Sequence, residues 1–300
     1  MLLIVFGLGV VLSSVLTGYL LERGSLLVLM QPAELIIILG GALGIVLISG
    51  PRRNLRVLSN AVFRGRPRRS TADSYLEALK VLYVLFQVGR SGGSIALDKH
   101  VETPYDSEIF LAHPSVLDDA EATSFMCDTL RMALSAGLGA EEVDRLMAVD
   151  MEVQRSGRQQ PLRILLNVAD SLPGLGIIAA VLGVVVTMQA LGGPALDIGQ
   201  KVAAALVGTF LGILLCYGVV GPLSHHLDCL SKARAEFLQV LRVALAWFFN
   251  GASPMMAAEA ARRTIPLDLR PTLEEMEQEL RRENIPLTPA QQEALATREA

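Results

Sequence analysis

The sequence predicts an all-α membrane protein, with four transmembrane helices and a helical cytoplasmic domain. Two observations carry that prediction. Hydrophobic residues make up 52% of the 300 positions, with a mean hydropathy of +0.46, and they are gathered into four long uncharged runs. Ordinary soluble domains do not combine such values with such runs. Within residues 70–170 no strand alternation is visible, so that stretch reads as helical.

The first run is Leu2–Leu21, without a charged residue. A hydrocarbon core of ~30 Å needs roughly 20 apolar residues in a helix, so this run can span. It lacks a basic leading region and an A-x-A site, and is expected to be retained rather than cleaved. Residues 22–34 (ERGSLLVLMQPAE) are predicted as a short external loop, followed by a second span over Leu35–Pro51. Gly40 and Gly44 within it form a G-x-x-x-G pair that allows close helix contact. Residues 1–51 are the first predicted unit.

Arg52, Arg53, Arg56, Arg64, Arg66, Arg68 and Arg69 come next without an intervening acid. By the positive-inside rule this end of the second span is cytoplasmic, which makes both termini cytoplasmic and the short loops external. The basic run also suits anionic lipid headgroups. No aromatic residues interleave the arginines as in a nucleic-acid site, so nucleic acid is not an expected partner. Residues 52–170 are then predicted as a cytoplasmic helical domain. Tyr75–Gly89 has apolar residues at 76, 79, 82, 83 and 86 and a Gly stop. A polar loop with Arg90, Gly92, Gly93, Asp98, Lys99 and His100 is expected next. Helices are expected over Ser115–Ala136 and Ala140–Arg155, separated by Gly137 and Gly139.

Residues 171–223 read as a transmembrane hairpin. SLPGLGIIAAVLGVVVTMQALGGPAL lies between Asp170 and Asp197, VAAALVGTFLGILLCYGVVGPL comes after Lys201, and GGPALDIGQK supplies the turn. Neither span has an interior Asp, Glu, Lys or Arg, so the hairpin lacks an ion-titrating group of its own. It offers small residues at helical spacing, Ala204, Gly208 and Gly212, and hydroxyls at Thr187, Thr209 and Tyr217. Residues 224–300 are predicted as a cytoplasmic extension of the fourth helix, with FLQVLRVALAWFF too short and polar for a fifth span, and an acidic tail from Asp268.

Cys127, Cys216 and Cys229 show no metal or CxxC spacing and read as free thiols. His225 and His226 read as an interfacial polar band rather than a metal site. HExxH and paired intramembrane carboxylates are absent, which speaks against a membrane hydrolase; no enzymatic activity and no cofactor are expected.

Several stretches resemble the A subunit of the bacterial flagellar motor stator, the MotA family. They are QPAELIII at 31–38, TPYDSEIFLAHPSVL at 103–117, ADSLPGLGIIAAVLGVV at 169–185 and VGTFLGILLCYGVVGPL at 207–223. The order of elements agrees too. The resemblance implies a motility and chemotaxis protein of the bacterial inner membrane, with several copies surrounding a dimer of a peptidoglycan-anchored MotB-type subunit. In that family the partner's transmembrane Asp carries the ion, and ion flow drives torque on the rotor protein FliG. The resemblance implies coupling roles for Pro173 and Pro222 and a rotor-binding role for Arg90 and Asp98. The family more often has Glu at the latter position, and Asp keeps its sign. From the residues alone, Pro173 behind Asp170 and Ser171 also reads as a helix start. Pro222 removes the backbone bond to Gly218 and should kink any helix that continues through it.

The ion pathway is expected to involve Thr209, Ala180 and Tyr217. Sodium-type relatives tend to have a Thr seven residues after the first proline, where this chain has Ala180, so the coupling ion is expected to be a proton. The alternatives are a sodium-driven stator, and an ExbB/TolQ-like energiser, which would have one helix rather than two before its cytoplasmic region. A self-sufficient channel would need its own titrating group within the spans, and none is expected.

Overall fold

The computed structural model describes residues 2–49, 71–189, 192 and 194–283, and every regular element among them is helical. The arginine-rich segment at 52–69 and the end of the acidic tail beyond Glu283 lie outside the described residues. The chain divides into two compact units, Met1–Pro67 with Ser156–Ser231, and Arg68–Arg155 with Lys232–Ala300. The division between these units falls at 155/156, fifteen residues before the boundary expected at 170/171.

The first unit holds α1 (Leu2–Leu21), the single turn α2 (Leu26–Leu29), α3 (Pro32–Ile48), the later part of α8 (Ala140–Met188), α9 (Ala195–Leu214) and the start of α10 (Gly221–Phe249). Four stretches are long and apolar enough to cross a membrane: Leu3–Leu21, Leu26–Ile48, and segments of Ala140–Met188 and Ile198–Phe249. Helix α3 begins earlier than the charge pattern suggested. Pro32 opens it as a first-turn proline, whose missing N–H is no loss there, so Glu34 lies inside the helix rather than in a loop. Glu34, Ile38 and Ala42 recur every four residues as its buried stripe. Ile38 and Ala42 meet Val168, Ala169, Leu172, Ala179 and Cys216, which is why residues before 171 belong with this unit.

Pro173 does not start a helix. It lies with Pro161 inside the unbroken α8. Pro222 is accommodated differently: a wide π turn over Leu215–Val220 precedes it, and the Gly221 N–H donates to the carbonyl of Cys216 five residues back. A Cβ on Gly221 would stand 2.8 Å from that carbonyl oxygen, so this turn needs glycine. The expected disturbance at Pro222 is thus taken up as one loosened turn.

The second unit is built around α4 (Ala72–Glu102), opened by a reciprocal capping pair between Thr71 and Ser74. It is more deeply buried than a one-sided amphipathic helix. Tyr75, Ala78, Leu79 and every residue from Val81 to Phe86 are buried, enclosed by α7 (Ala120–Ala136), α11 (Pro254–Arg262) and the later part of α10. Phe86 and Phe248 stack with centroids 4.2 Å apart, and Tyr75 lies 5.2 Å from Phe237. The extension after the fourth span thus packs on the inserted domain, as the sequence suggested. Two short turns, α5 (Glu108–Leu111) and α6 (Pro114–Leu117), precede α7, and α12 (Leu273–Arg281) completes the unit.

The polar loop expected after Gly89 is instead helical. The backbone reverses only at Gly93, whose φ of +71° suits glycine. In a straight helix Gly89 and Leu97 would be ~12 Å apart, yet a Cβ on Gly89 would meet the Leu97 side chain at 3.2 Å. Leu97 and Val101 bury themselves by this return and give the second arm its reason to stay helical.

Candidate ion pathway along a glycine-lined helix seam

Helices α8 and α9 touch backbone to backbone. Gly176, Gly208 and Gly212 make the contact: a Cβ on Gly176 would stand 2.7 Å from the Gly208 carbonyl oxygen, and one on Gly212 would stand 2.6 Å from that of Leu172. Small residues permit this approach, and without solvent to drive association in a bilayer, close packing is what holds such helices. The expected stripe is adjusted by one position, since Ala205 rather than Ala204 is buried.

Two predicted pathway residues meet at this seam. The Thr209 Cα lies 3.3 Å from the point where a Gly176 Cβ would be, and the Ala180 amide nitrogen 3.2 Å from the corresponding point on Gly208. Both side chains are half-buried. Tyr217 is not part of it, being 73% exposed on the π turn. Pro173 lies one turn before Gly176 on the same helix and Pro222 two residues beyond the π turn. Arg90 and Asp98 lie in the other unit, one on each arm of the Gly93 reversal, with Arg90 exposed and Asp98 half-buried.

Glu34 is not singled out by the sequence. Its carboxyl group enters the end of the seam nearer the α8–α9 turn, where a Cβ on Gly208 would stand 2.6 Å from Oε2 and one on Gly183 would stand 3.3 Å from Oε1. The residue is 6% exposed, and Oε2 is fully enclosed without a hydrogen-bond partner among the described residues. Ala205 closes the gap beside it, its Cβ 2.7 Å from a Gly183 Cβ position. The nearby hydroxyl of Thr187 is already committed to the Gly183 carbonyl at 2.8 Å. The sequence signal is the proline two residues before Glu34, which places the acid on the third position of a helix instead of in a loop. The spans therefore do contain an acidic group, contrary to the reading from charge-free runs.

The chain is similar to known proteins. Residues 5–93 match the family described as Motility protein A N-terminal, and residues 118–237 match the MotA/TolQ/ExbB proton channel family. The chain is 37% identical to Motility protein A of Escherichia coli over 281 residues, covering 93% of this chain and 95% of the relative. It is 35% identical to Chemotaxis protein LafT of Vibrio parahaemolyticus, covering 90% and 95%. Its fold is similar to a chain of the Campylobacter jejuni MotAB structure, with a TM-score of 0.73 at 18% identity, over 89% of this chain and 96% of that one. A chain of the flagellar MotAB stator complex of Bacillus subtilis superposes with a TM-score of 0.72 at 22% identity, over 89% and 97%. With relatives matched over nearly their whole length and a shared four-span helical plan, the chain belongs to the motility protein A family.

Proposed function

We propose that this chain is the A subunit of a proton-driven flagellar stator in the bacterial inner membrane. Several copies surround two copies of a MotB-type partner that is anchored to peptidoglycan and carries the ion-binding Asp. The complex turns ion flow into torque on FliG. It acts by conduction and movement, not as an enzyme, and needs no cofactor beyond the proton itself. The MotAB complexes whose A chains it resembles support the partnership.

One observation carries the choice of ion: the seam beside Thr209 and Ala180 is lined by glycine and alanine. A dehydrated sodium ion needs several oxygen ligands, whereas a proton needs a carboxyl group and a chain of hydroxyls or water. A hydroxyl is missing at Ala180, and Thr209 is left to serve the partner's carboxylate. Each proton crossing supplies ~2.3 kcal/mol per 100 mV. Pro173 and the loosened turn before Pro222 serve as joints that relay the change, and Arg90 and Asp98 steer the rotor encounter, where sets of charges govern approach more than affinity.

The test is motility of a stator-null cell expressing this chain with a B-type partner. Swimming should persist when sodium is replaced by potassium at constant pH and stop with a protonophore. Speed that collapses without sodium rejects the proton assignment, and no swimming with any B-type partner rejects the stator reading.

A further inference from the structure

Glu34 is a carboxylic acid enclosed within the membrane-spanning part of the chain, and its surroundings narrow what it can bind. Gly183, Ala205 and Gly208 offer it no side-chain oxygen or nitrogen. It has no ion-pair partner among the described residues, and Oε2 is left without a hydrogen-bond donor. A metal cation would find one acidic ligand and an otherwise apolar wall, which is too few oxygens to replace its water. A proton requires only the one oxygen.

We propose that Glu34 is a proton-binding site belonging to this subunit, loading from the external side of the membrane and passing the proton on along the α8–α9 seam. The step balances simply. A proton from external water forms the Oε2–H bond and neutralises the carboxylate. The same bond then breaks, the proton goes to the next acceptor, and the carboxylate with its charge is restored. No electron moves. The glycines are what admit the group, because any side chain at 183 or 208 would occupy the space of its two oxygens.

Among the described side chains, few charged groups compete for control of this proton. On α9, Lys201 stands one turn outward from Ala205 and is exposed. On α8 the nearest acid, Asp170, is more than three turns from Gly183, and neither α2 nor the rest of α3 has a titratable side chain. Glu34 is therefore set to respond to external acidity and to the charge of whatever carboxylate comes next.

The inference rests on the stator reading only in supposing that protons cross the assembly. Its test is infrared difference spectroscopy of the full chain, co-purified with its B-type partner in lipid vesicles, for wild type, Glu34→Gln and Glu34→Asp. A protonated-carboxyl band that titrates with pH in wild type, is lost in Glu34→Gln and is shifted in Glu34→Asp is the expected result. In cells, Glu34→Gln should lower swimming speed several-fold when external protons are scarce. A wild-type band that does not differ from that of Glu34→Gln, or a Glu34 band that never titrates, overturns the proposal and marks a static neutral acid. Should Glu34→Gln fail to assemble, Glu34→Asp decides: an unshifted band overturns the site. These spectra do not depend on motility, so wild type failing to swim counts against the stator reading and leaves Glu34 to be judged separately.

Discussion

Lys80 Nζ lies 2.9 Å from Glu279 Oε2 and 3.2 Å from Glu77 Oε1, so one ammonium group fastens helix α12 to the central helix α4. Glu283 joins at 3.4 Å, and His113 reaches both Glu77 and Glu283. Burial alone would raise the Glu77 carboxyl, but hydrogen bonds from His113 and Lys80 outweigh it and hold the group below the usual carboxylate range. Glu279 is likewise held down, chiefly by its bond to Lys80. Lys80 is pushed up by its acidic partners against the opposing effect of burial.

The signs of these shifts predict when α12 lets go. Depressed carboxyls stabilise above their unfolded pKa, and that contribution is lost as pH falls through the folded value. The raised Lys80 stabilises below its unfolded pKa and fails only in strong alkali. Docking should therefore be constant around neutrality and weaken below the ordinary carboxylate range. Hydrogen exchange of the α12 amides, corrected for intrinsic rates, should rise there. Lys80→Met should raise it at neutral pH, with a loss of ~1–2 kcal/mol as charge-assisted bonds disappear.

Glycines in α8 should differ sharply in tolerance. Gly176→Ala places a methyl against the backbone of Gly208 and should cost ~1–3 kcal/mol or separate the helices. Gly174→Ala, with open space around it, should be neutral or gain up to ~1 kcal/mol of helix propensity. Thermal unfolding of the detergent-solubilised variants separates the two.

Two of the three cysteines, Cys229 and Cys127, should react in a set order. Cys229 is exposed, whereas burial pushes the Cys127 thiol up to about 12. Only the thiolate attacks an alkylating agent. Iodoacetamide at neutral pH should label Cys229 at once and reach Cys127 only after denaturation, as peptide mass spectrometry would read. Early labelling of Cys127 would contradict the packing of α7 on α4.

Arg90→Glu should reduce torque without reducing assembly, because an exposed charge contributes little to folding. Gly93→Ala should do the reverse damage, straining a positive-φ backbone that suits only glycine by ~1–3 kcal/mol and loosening the return of Leu97. Swimming speed set against membrane protein yield distinguishes the two effects. Normal swimming of Arg90→Glu at low salt would count against the rotor assignment.

The sequence revealed the spans because uncharged length is a direct physical requirement of the bilayer. It also revealed the small-residue face of α9, to within one position. Three features escaped it. The reversal at Gly93 looks like a loop because Gly92 and Gly93 interrupt the apolar periodicity and Asp98, Lys99 and His100 follow. Pro173 suits a helix start as well as a helix interior, and only the packing of Val168 and Ala169 on Ile38 and Ala42 shows that the helix runs through. Glu34 reads as part of a loop when its charge is given more weight than the proline before it. Acid residues at the mouth of a span are ambiguous until the neighbouring helices show whether they enclose them.

The wide turn at Leu215–Val220 holds one residue more than α-helical winding would place there. Viewed as ancestry, such a turn is a stored insertion, and it fixes the length of the chain around it. Deleting one residue inside it would rewind it as an ordinary α turn, whereas deleting one from the regular helix beside it would rotate α10 by about 100° relative to α9. Ser224, now fully enclosed with its hydroxyl donating to the Val220 carbonyl, would be swung out of place. Single-residue deletions should therefore be excluded from the helices on either side of this turn, even where substitutions of its exposed Tyr217 are accepted.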